Sequence, residues 1–290
     1  MRVDNAIILA AGTASRFAPL SYEIPKGLLE VRGEILIERQ IRQLQECKIP
    51  EIVVVTGHKA EQFNYLERKY GAILIHNPDY LARNNHSSIY TAKNYLKNSY
   101  ICSSDNYFLH NPFESNVDNS YYSAIYVKGR TSEWCITEKN DWITNVHIGG
   151  YDAWVMLGHV FWSENFSRKF LSILHEEYSK KETLNKLWED LYIEHIQELP
   201  MKVRKYKPNF IFEFDTLDEL RKFDKSYITD TRSVILKKIA QNLNCIEADI
   251  KNIKVLKDKN NAASGFTFTA DKDYKYDYNT RQLEELPCCS

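Results

Sequence analysis

Short apolar runs alternate with amphipathic segments over roughly the first hundred residues. The predicted strands "AIILA", "EIVVVTG", "AILIHN" and "SYICSSDNY" are separated by the predicted helices "ILIERQIRQLQEC", "KAEQFNYLERKYG" and "SSIYTAKNYL". Strands that alternate with helices at this spacing indicate βαβ units and a parallel sheet. Ligands of such sheets bind at the carboxyl ends of the strands. The pattern therefore predicts an α/β protein whose functional site lies at the strand ends.

From about Ser120 onward the apolar segments become strand-like and rich in aromatic residues. The segments "YYSAIYV", "EWCIT", "WITNVHI" and "AWVMLGHVFW" predict four strands separated by turns. A helix that begins after Ser163, a plausible N-cap, is followed by a second helix around "LNKLWEDLYIEHI" and by the strands "MKVRKY" and "NFIFEFDT". This half of the chain is expected to cover the substrate.

The pattern changes again near the end of the chain. The segment "TRSVILKKIAQNL" predicts an amphipathic helix, and "GFTFTADKDYKYDY" predicts a β-hairpin with its turn near Asp271. We therefore predict one large domain over residues 1–225 and a small α+β accessory unit over residues 226–290.

Composition narrows the class of protein. The 290 residues carry 38 basic and 39 acidic side chains, a formal net charge of -1, which gives no indication of a nucleic-acid or anionic-membrane partner. No apolar run approaches the length of a membrane span or of a signal-peptide core. The six cysteines have no CxxC pair or zinc-site spacing, which favours reduced thiols. We expect a cytoplasmic protein without membrane insertion.

The loop behind the first predicted strand, "LAAGTASRFAPLSYEIPKGLLEV", has the composition of an anion site. Small residues up to Gly12 leave room for backbone N–H groups to approach an anion, and Arg16 and Lys26 add positive charge. The loop contains neither GxxxxGK[ST] nor GxGxxG, which excludes the two common phosphate motifs. Alternatively, Gly12 merely ends the strand and both cations are solvated.

The string L-A-A-G-x-x-S-R-F-x-P-L, followed by P-K-G-L-L, resembles the nucleotidyltransferases that join an NTP to a phosphorylated small molecule and release pyrophosphate. The resemblance implies that Leu9–Gly12 contact base and ribose, that Thr13–Arg16 wrap the triphosphate, and that Lys26 neutralises charge during transfer. Asn85 and Ser88, in "NNHSSI", would help to read the cytosine or ribose. The implied nucleotide-binding residues are Leu9, Ala10, Ala11, Gly12, Thr13, Ala14, Ser15, Arg16, Asn85 and Ser88.

The resemblance extends over roughly residues 3–224. Segments including "HNPDYLARNNHSSIYTAKNYLKNSYICSSDNYF", "SEWCITEKNDWITNV" and "IFEFDTLDELRKFD" are similar, in order, to bacterial CTP:phosphocholine cytidylyltransferases. It implies a Rossmann-like, GT-A-like α/β fold with a mixed, mostly parallel sheet flanked by helices. It also implies transfer of CMP from CTP to phosphocholine, giving CDP-choline for decoration of the cell surface.

Tryptophans beside carboxylates are candidates for holding the acceptor. A quaternary ammonium donates no hydrogen bonds, so proteins hold it against aromatic faces, often near a carboxylate. The family's "EW" and "LWED" segments assign this choline pocket to Glu133, Trp134, Trp188 and Glu189. Taken alone, either tryptophan would more often fill the core.

Nucleotidyl transfer usually employs Mg²⁺ held by carboxylates and substrate phosphates. The candidates are Asp105, expected at a strand end, and Glu213 and Asp215, which alternate with Phe212 and Phe214 and so share a strand face. The family's D-x-D reads Ser103-Ser104-Asp105 in this chain, which lacks the first carboxylate. The predicted catalytic residues are Lys26, Arg16 and Asp105. Asp215 or Thr216 could instead cap a helix.

Two other functions stay open at this point. The acceptor could be phosphoethanolamine, 2-aminoethylphosphonate or a sugar 1-phosphate, and the missing carboxylate also allows a non-catalytic nucleotide-binding module. The accessory unit resembles the opening of a choline-kinase-like lobe without its catalytic loop. It is expected to cover the active site or to mediate contacts in a homodimer.

Overall fold

The computed structural model describes residues 1–259 and 263–287. The strands are β1 (Asn5–Ala10), β2 (Glu30–Val31), β3 (Glu34–Ile35), β4 (Ile52–Thr56), β5 (Ile73–His76), β6 (Ser99–Ser103), β7 (Tyr107–Phe108), β8 (Tyr121–Lys139), β9 (Trp142–Trp162), β10 (Lys202–Tyr206), β11 (Ile211–Phe212), β12 (Lys251–Lys257), β13 (Ala263–Thr269), β14 (Asp273–Asp277) and β15 (Leu283–Glu285). The α-helices are α1 (Leu20–Glu23), α2 (Leu36–Glu46), α3 (Tyr65–Tyr70), α4 (His86–Thr91), α5 (Glu164–Glu177), α6 (Trp188–Glu194), α7 (Leu217–Phe223), α8 (Ser226–Thr229) and α9 (Val234–Leu243). No helix among these residues is long and apolar enough to cross a membrane.

The chain forms two compact units. The first comprises Met1–Gly12 and Leu36–Glu213, and the second comprises Thr13–Ile35 and Phe214–Ser290. The predicted accessory unit began at residue 226, whereas the second unit also takes in α7 and the loop that follows Gly12.

A seven-stranded sheet runs through the first unit in the order β10-β8-β9-β6-β1-β4-β5. The pairs β1–β4, β1–β6, β4–β5 and β10–β8 are parallel, whereas β9 pairs antiparallel with its neighbours. The mixed, mostly parallel sheet flanked by helices confirms the predicted fold class. Because β1, β4 and β6 run side by side, the chain segments that follow them leave the sheet at the same edge.

The aromatic half differs from its prediction of four strands. β8 and β9 form one hairpin with strands of 19 and 21 residues, interrupted by register shifts rather than by turns. Gly129 and Gly149 lie within the two strands, with φ of 83° and 79°. β-Bulges absorb extra residues in this way without ending the pairing.

Helices α5 and α6 pack against this sheet in a hydrophobic cluster of the first unit. Ser163 caps α5, since its hydroxyl accepts a hydrogen bond from the backbone N–H of Phe166 at 3.2 Å, which confirms the predicted cap. Phe166 and Phe170 lie on the buried face of α5 against Trp162, with ring centroids 5.1 and 4.6 Å away. The helix is therefore fixed at its start and along its apolar face.

The second unit contains α9 and a four-stranded antiparallel sheet in the order β12-β13-β14-β15. β13 and β14 pair from Gly265 opposite Asp277 to Thr269 opposite Asp273, which confirms the predicted hairpin and its turn. Ser233 caps α9 by accepting from the backbone N–H of Leu236 at 3.0 Å. The α+β character predicted for the end of the chain is confirmed.

Candidate functional site

Strand β1 ends at Ala10, and Ala11 and Gly12 complete the first chain segment of the first unit. The carbonyl oxygen of Ala11 accepts a hydrogen bond from the backbone N–H of His58, at 3.0 Å, which ties the end of β1 to the end of β4. A Cβ atom built on Gly12 would meet nothing within 4 Å. The space that the sequence predicts beside this glycine is present.

Gly57, which belongs to none of the predicted site motifs, also lies in this region. A Cβ atom at this position would lie 2.8 Å from the Cβ of Ala11 and 2.7 Å from the ring of Tyr80. Only glycine therefore allows the loop after β4 to approach the small residues after β1. A glycine directly behind a buried parallel strand, in "VVVTG", was the available signal.

Arg16 and Lys26 converge on one carboxylate in the second unit. Asp215 lies 2.9 Å from Nη1 of Arg16 and 3.7 Å from Nζ of Lys26. Lys26 is buried at 8% exposure, whereas the side chain of Arg16 is 73% exposed. Asp215 therefore holds two cationic side chains close together in the second unit.

The backbone turns tightly just before Arg16. Ala14 has a φ of 45°, in the left-handed region, and the 3-10 turn Ser15–Phe17 follows it. The ring of Phe17 is buried and lies 5.9 Å from Nζ of Lys26. This turn positions Arg16 and brings the aromatic ring to the lysine.

The role of Asp105, Glu213 and Asp215 as metal ligands stays a prediction. Among residues 1–259 and 263–287, no three His, Cys, Asp or Glu side chains form a group that could hold a metal ion. Asp215 binds Arg16 and Lys26 instead. β11 ends at Phe212, so Glu213 and Asp215 follow the strand rather than sharing one of its faces. Thr216 caps α7, as the alternative reading of this segment allowed.

Asp105 and Glu213 do lie at neighbouring ends of one short ladder. Tyr107 of β7 pairs with Phe212 of β11, and the side-chain amide of Asn106 donates to Oε2 of Glu213 at 3.3 Å. Mg²⁺ in nucleotide sites commonly takes one or two protein carboxylates, with phosphates and water as its other ligands. Asp105 and Glu213 are two carboxylates, so their chemistry fits a Mg²⁺ site that takes only one or two ligands from the protein.

A second cluster of the first unit joins Asn85, Glu189 and Tyr122. The Asn85 amide nitrogen donates to Oε2 of Glu189 at 3.0 Å, and the Tyr122 hydroxyl donates to Oε1 at 3.3 Å. Oδ1 of Asn85 accepts from the backbone N–H of Trp188 at 2.7 Å, so Asn85 fixes the start of α6. Burial raises the pKa of Glu189 to about 7, although both hydrogen bonds favour its carboxylate.

The remaining predicted residues lie in different environments. Trp188 is 3% exposed, and its ring stacks on Tyr122 at 5.8 Å within the core. Trp134 is half-buried on β8 against the same core, whereas Glu133 is exposed. Ser88 is buried and accepts a hydrogen bond from the Asn77 amide at 3.1 Å. The structure thus brings Glu189, Trp188 and Asn85 together and leaves Glu133 at the surface.

The chain matches several known proteins. Residues 6–113 match the model of the MobA-like NTP transferase domain. A choline-phosphate cytidylyltransferase of Streptococcus pneumoniae is 33% identical over 222 residues, covering 76% of this chain and 97% of that protein. A 2-aminoethylphosphonate cytidylyltransferase of Lancefieldella rimae is 33% identical over 234 residues, 79% of this chain and 95% of that protein. The solved CTP:phosphocholine cytidylyltransferase (LicC) of Streptococcus pneumoniae superposes with a TM-score of 0.74 at 33% identity, covering 78% of this chain and 99% of that one.

Proposed function

This chain belongs to the nucleotidyltransferase family that contains the choline-phosphate cytidylyltransferases, and we propose that it transfers CMP from CTP to phosphocholine. The observation that carries the proposal is the 33% identity that extends over 97% of such an enzyme. The products are CDP-choline and pyrophosphate.

The reaction is a single displacement at phosphorus. A phosphate oxygen of phosphocholine attacks the α-phosphorus of CTP, and the bond from that phosphorus to the oxygen bridging the α- and β-phosphates breaks. The electron pair of that bond leaves with pyrophosphate. Because the attacking oxygen is already anionic, no general base is required. The protein contributes mainly positioning and charge stabilisation.

We assign the nucleotide to the segment from Leu9 to Arg16 together with Lys26. Backbone N–H groups beside Gly12 have open space for a phosphate, and the hydroxyls of Thr13 and Ser15 add donors. Lys26 is buried and therefore carries its charge where water screens it weakly, which strengthens its interaction with a phosphate. Asp215 holds Arg16 and Lys26 near each other until the phosphates compete for them.

Asp105 and Glu213 would hold Mg²⁺, the cofactor we propose for this reaction. When bound, the ion neutralises phosphate charge and stabilises pyrophosphate as it leaves. The side-chain amide of Asn106 donates to Oε2 of Glu213 and orients that carboxylate. Outer hydrogen bonds of this kind fix the direction of a ligand oxygen.

The acceptor's quaternary ammonium would lie near Glu189. A carboxylate held by Asn85 and Tyr122 supplies a fixed negative charge, which attracts a cation that donates no hydrogen bonds. Trp134 offers a half-buried aromatic surface to such a cation. Trp188 supports the pocket from the core by stacking on Tyr122.

A second acceptor is favoured by a specific observation. The 2-aminoethylphosphonate cytidylyltransferase has the same 33% identity to this chain, so a primary amine and a phosphonate are the main alternative. A primary ammonium would also be attracted to Glu189, but it needs hydrogen-bond acceptors more than aromatic faces.

Pyrophosphate release measured with CTP and a panel of acceptors tests the proposal. The panel contains phosphocholine, phosphoethanolamine, 2-aminoethylphosphonate and glucose 1-phosphate, with CTP alone as the background. We expect the highest kcat/KM with phosphocholine. A preference for another acceptor would replace the assigned substrate, and CTP binding without release would indicate a non-catalytic module.

A further inference from the structure

The loop that carries Arg16 and Lys26 has little regular structure of its own. Between Thr13 and Ile35 it contains one four-residue helix, two 3-10 turns and a pair of two-residue strands. Elements this short are not stable by themselves in water. The conformation of the loop must therefore depend on contacts with residues distant in sequence.

Residues 226–259 and 263–287, termed the C-terminal segment below, supply several of these contacts. The ring of Tyr22 stacks on the ring of Tyr278, with centroids 3.8 Å apart and planes 9° from parallel. Glu23 accepts a hydrogen bond from the backbone N–H of Ile235 at 3.0 Å, in the first turn of α9. Both contacts fix the short helix α1.

The other end of the loop is held as well. The hydroxyl of Tyr227 donates to the carbonyl oxygen of Glu30 at 2.8 Å, and Arg232 lies 3.3 Å from the carboxylate of the same residue. The 3-10 turn Ser15–Phe17 contacts β12. Lys26 thus lies between two anchored points of the chain, α1 and Glu30.

From these contacts we propose that the C-terminal segment sets the conformation of residues 13–35, termed the phosphate-binding loop. We also propose that Tyr278 is a positioning residue for CTP. The inference rests on the proposed function in one respect, namely that this loop binds the triphosphate of CTP. Preorganisation lowers the entropy lost on binding, so a loosened loop binds CTP less tightly. The matches to the known cytidylyltransferases cover nearly all of those proteins but leave part of this chain without a counterpart.

The variants Tyr22→Ala and Tyr278→Ala test the proposal in the full chain. Tyr22 is 44% exposed, so its truncation should leave the protein folded. We expect the dissociation constant for CTP, measured by titration calorimetry, to rise about threefold to tenfold in each variant, the value of one stacked aromatic pair. Amide hydrogen exchange within residues 13–35 should become faster.

Two further variants make the result specific. Tyr278→Phe keeps the stacked ring and should retain the affinity of the original protein for CTP. Tyr274→Ala removes a ring of β14 that stacks on Phe268, four residues before Tyr278, and should not change that affinity. An unchanged dissociation constant in Tyr22→Ala and Tyr278→Ala, or an equal loss in Tyr274→Ala, would overturn the inference. Failure of the proposed function has a different signature, because CTP would then bind but no acceptor would release pyrophosphate.

Discussion

The phosphate-binding loop and the Asn85–Glu189–Tyr122 cluster are ordered by different physical means. The loop presents charge, because Arg16 is largely exposed and shares the carboxylate of Asp215 with Lys26. The cluster is a partly buried hydrogen-bond network on α6 and β8, next to the core that contains Trp188. In the proposed function, the charged loop would adapt to a flexible triphosphate, whereas the packed network would select a particular small cation. The difference indicates that affinity for the nucleotide and choice of acceptor can be changed separately.

Lys26→Ala should give the largest effect, and only on the nucleotide side. Removing a buried cation beside a transferring phosphoryl group costs on the order of 100-fold to 1,000-fold in kcat/KM. Steady-state kinetics with CTP as the varied substrate measure the loss. Lys222→Ala, an exposed lysine of α7, serves as the matched control. A decrease in kcat/KM of less than threefold would show that Lys26 does not take part in the reaction.

Glu189→Gln should act on the acceptor side alone. The amide keeps the size of the side chain but loses the charge, so the KM for phosphocholine should rise about tenfold to 100-fold, as for a charge-assisted contact. The KM for CTP should stay within twofold. Glu194→Gln, on the same helix and paired with Lys186, is the control. An equal rise in both KM values would break the distinction between the two regions.

The pH dependence of acceptor binding should follow the ionisation of Glu189. Burial raises the pKa of this carboxyl to about 7, so it is mostly charged at pH 8 and mostly neutral at pH 6. The KM for phosphocholine should therefore rise as the pH falls from 8 to 6, by up to about tenfold. The pH profile of Glu189→Gln gives the change in KM that comes from titration of phosphocholine itself, and this change is subtracted from the profile of the original protein. Identical profiles for the two proteins would exclude Glu189 as the titrating group.

Trp134→Ala should have the smallest effect and would sharpen the identity of the acceptor. A partly exposed cation–π contact is worth about 0.5–1 kcal/mol, or roughly a twofold to fivefold rise in the KM for phosphocholine. The KM for 2-aminoethylphosphonate, measured in parallel, should not change. Equal effects on both acceptors would show that Trp134 acts through the stability of the hairpin, and a thermal melt of the variant would then show the loss.

The sequence was most informative where a local rule decides the structure. Ser163 caps α5 because the residues after it form an amphipathic helix, and the first parallel strands follow from their apolar runs. The extent of the β8–β9 hairpin could not be predicted in the same way. Its glycines lie in bulges, and only the pairing between the two strands distinguishes a bulge from a turn.

The candidate site shows the same limit. The cations of the loop could be identified from one motif, but the ion pair between Asp215 and Arg16 joins residues about two hundred positions apart and could not be predicted from it. Trp188 was predicted to contact choline, and its 3% exposure follows from the packing of Tyr122 and Trp162 around a short helix. Seven residues are too few for the apolar periodicity to distinguish a buried ring from one that lines a pocket.

The second unit is built from two chain segments that the ribosome makes at different times. Residues 13–35 leave the ribosome early, whereas Ile235 and Tyr278, which hold α1, are made about two hundred or more residues later. Chain segments are added in order, at about 5–20 residues per second. Residues 13–35 must therefore lack these two contacts for on the order of ten seconds or more, while the central sheet can already form. Because these contacts span most of the chain, their loop-closure entropy is also among the largest in the fold. Completion of the anchored phosphate-binding loop is thus a late event in the maturation of this protein.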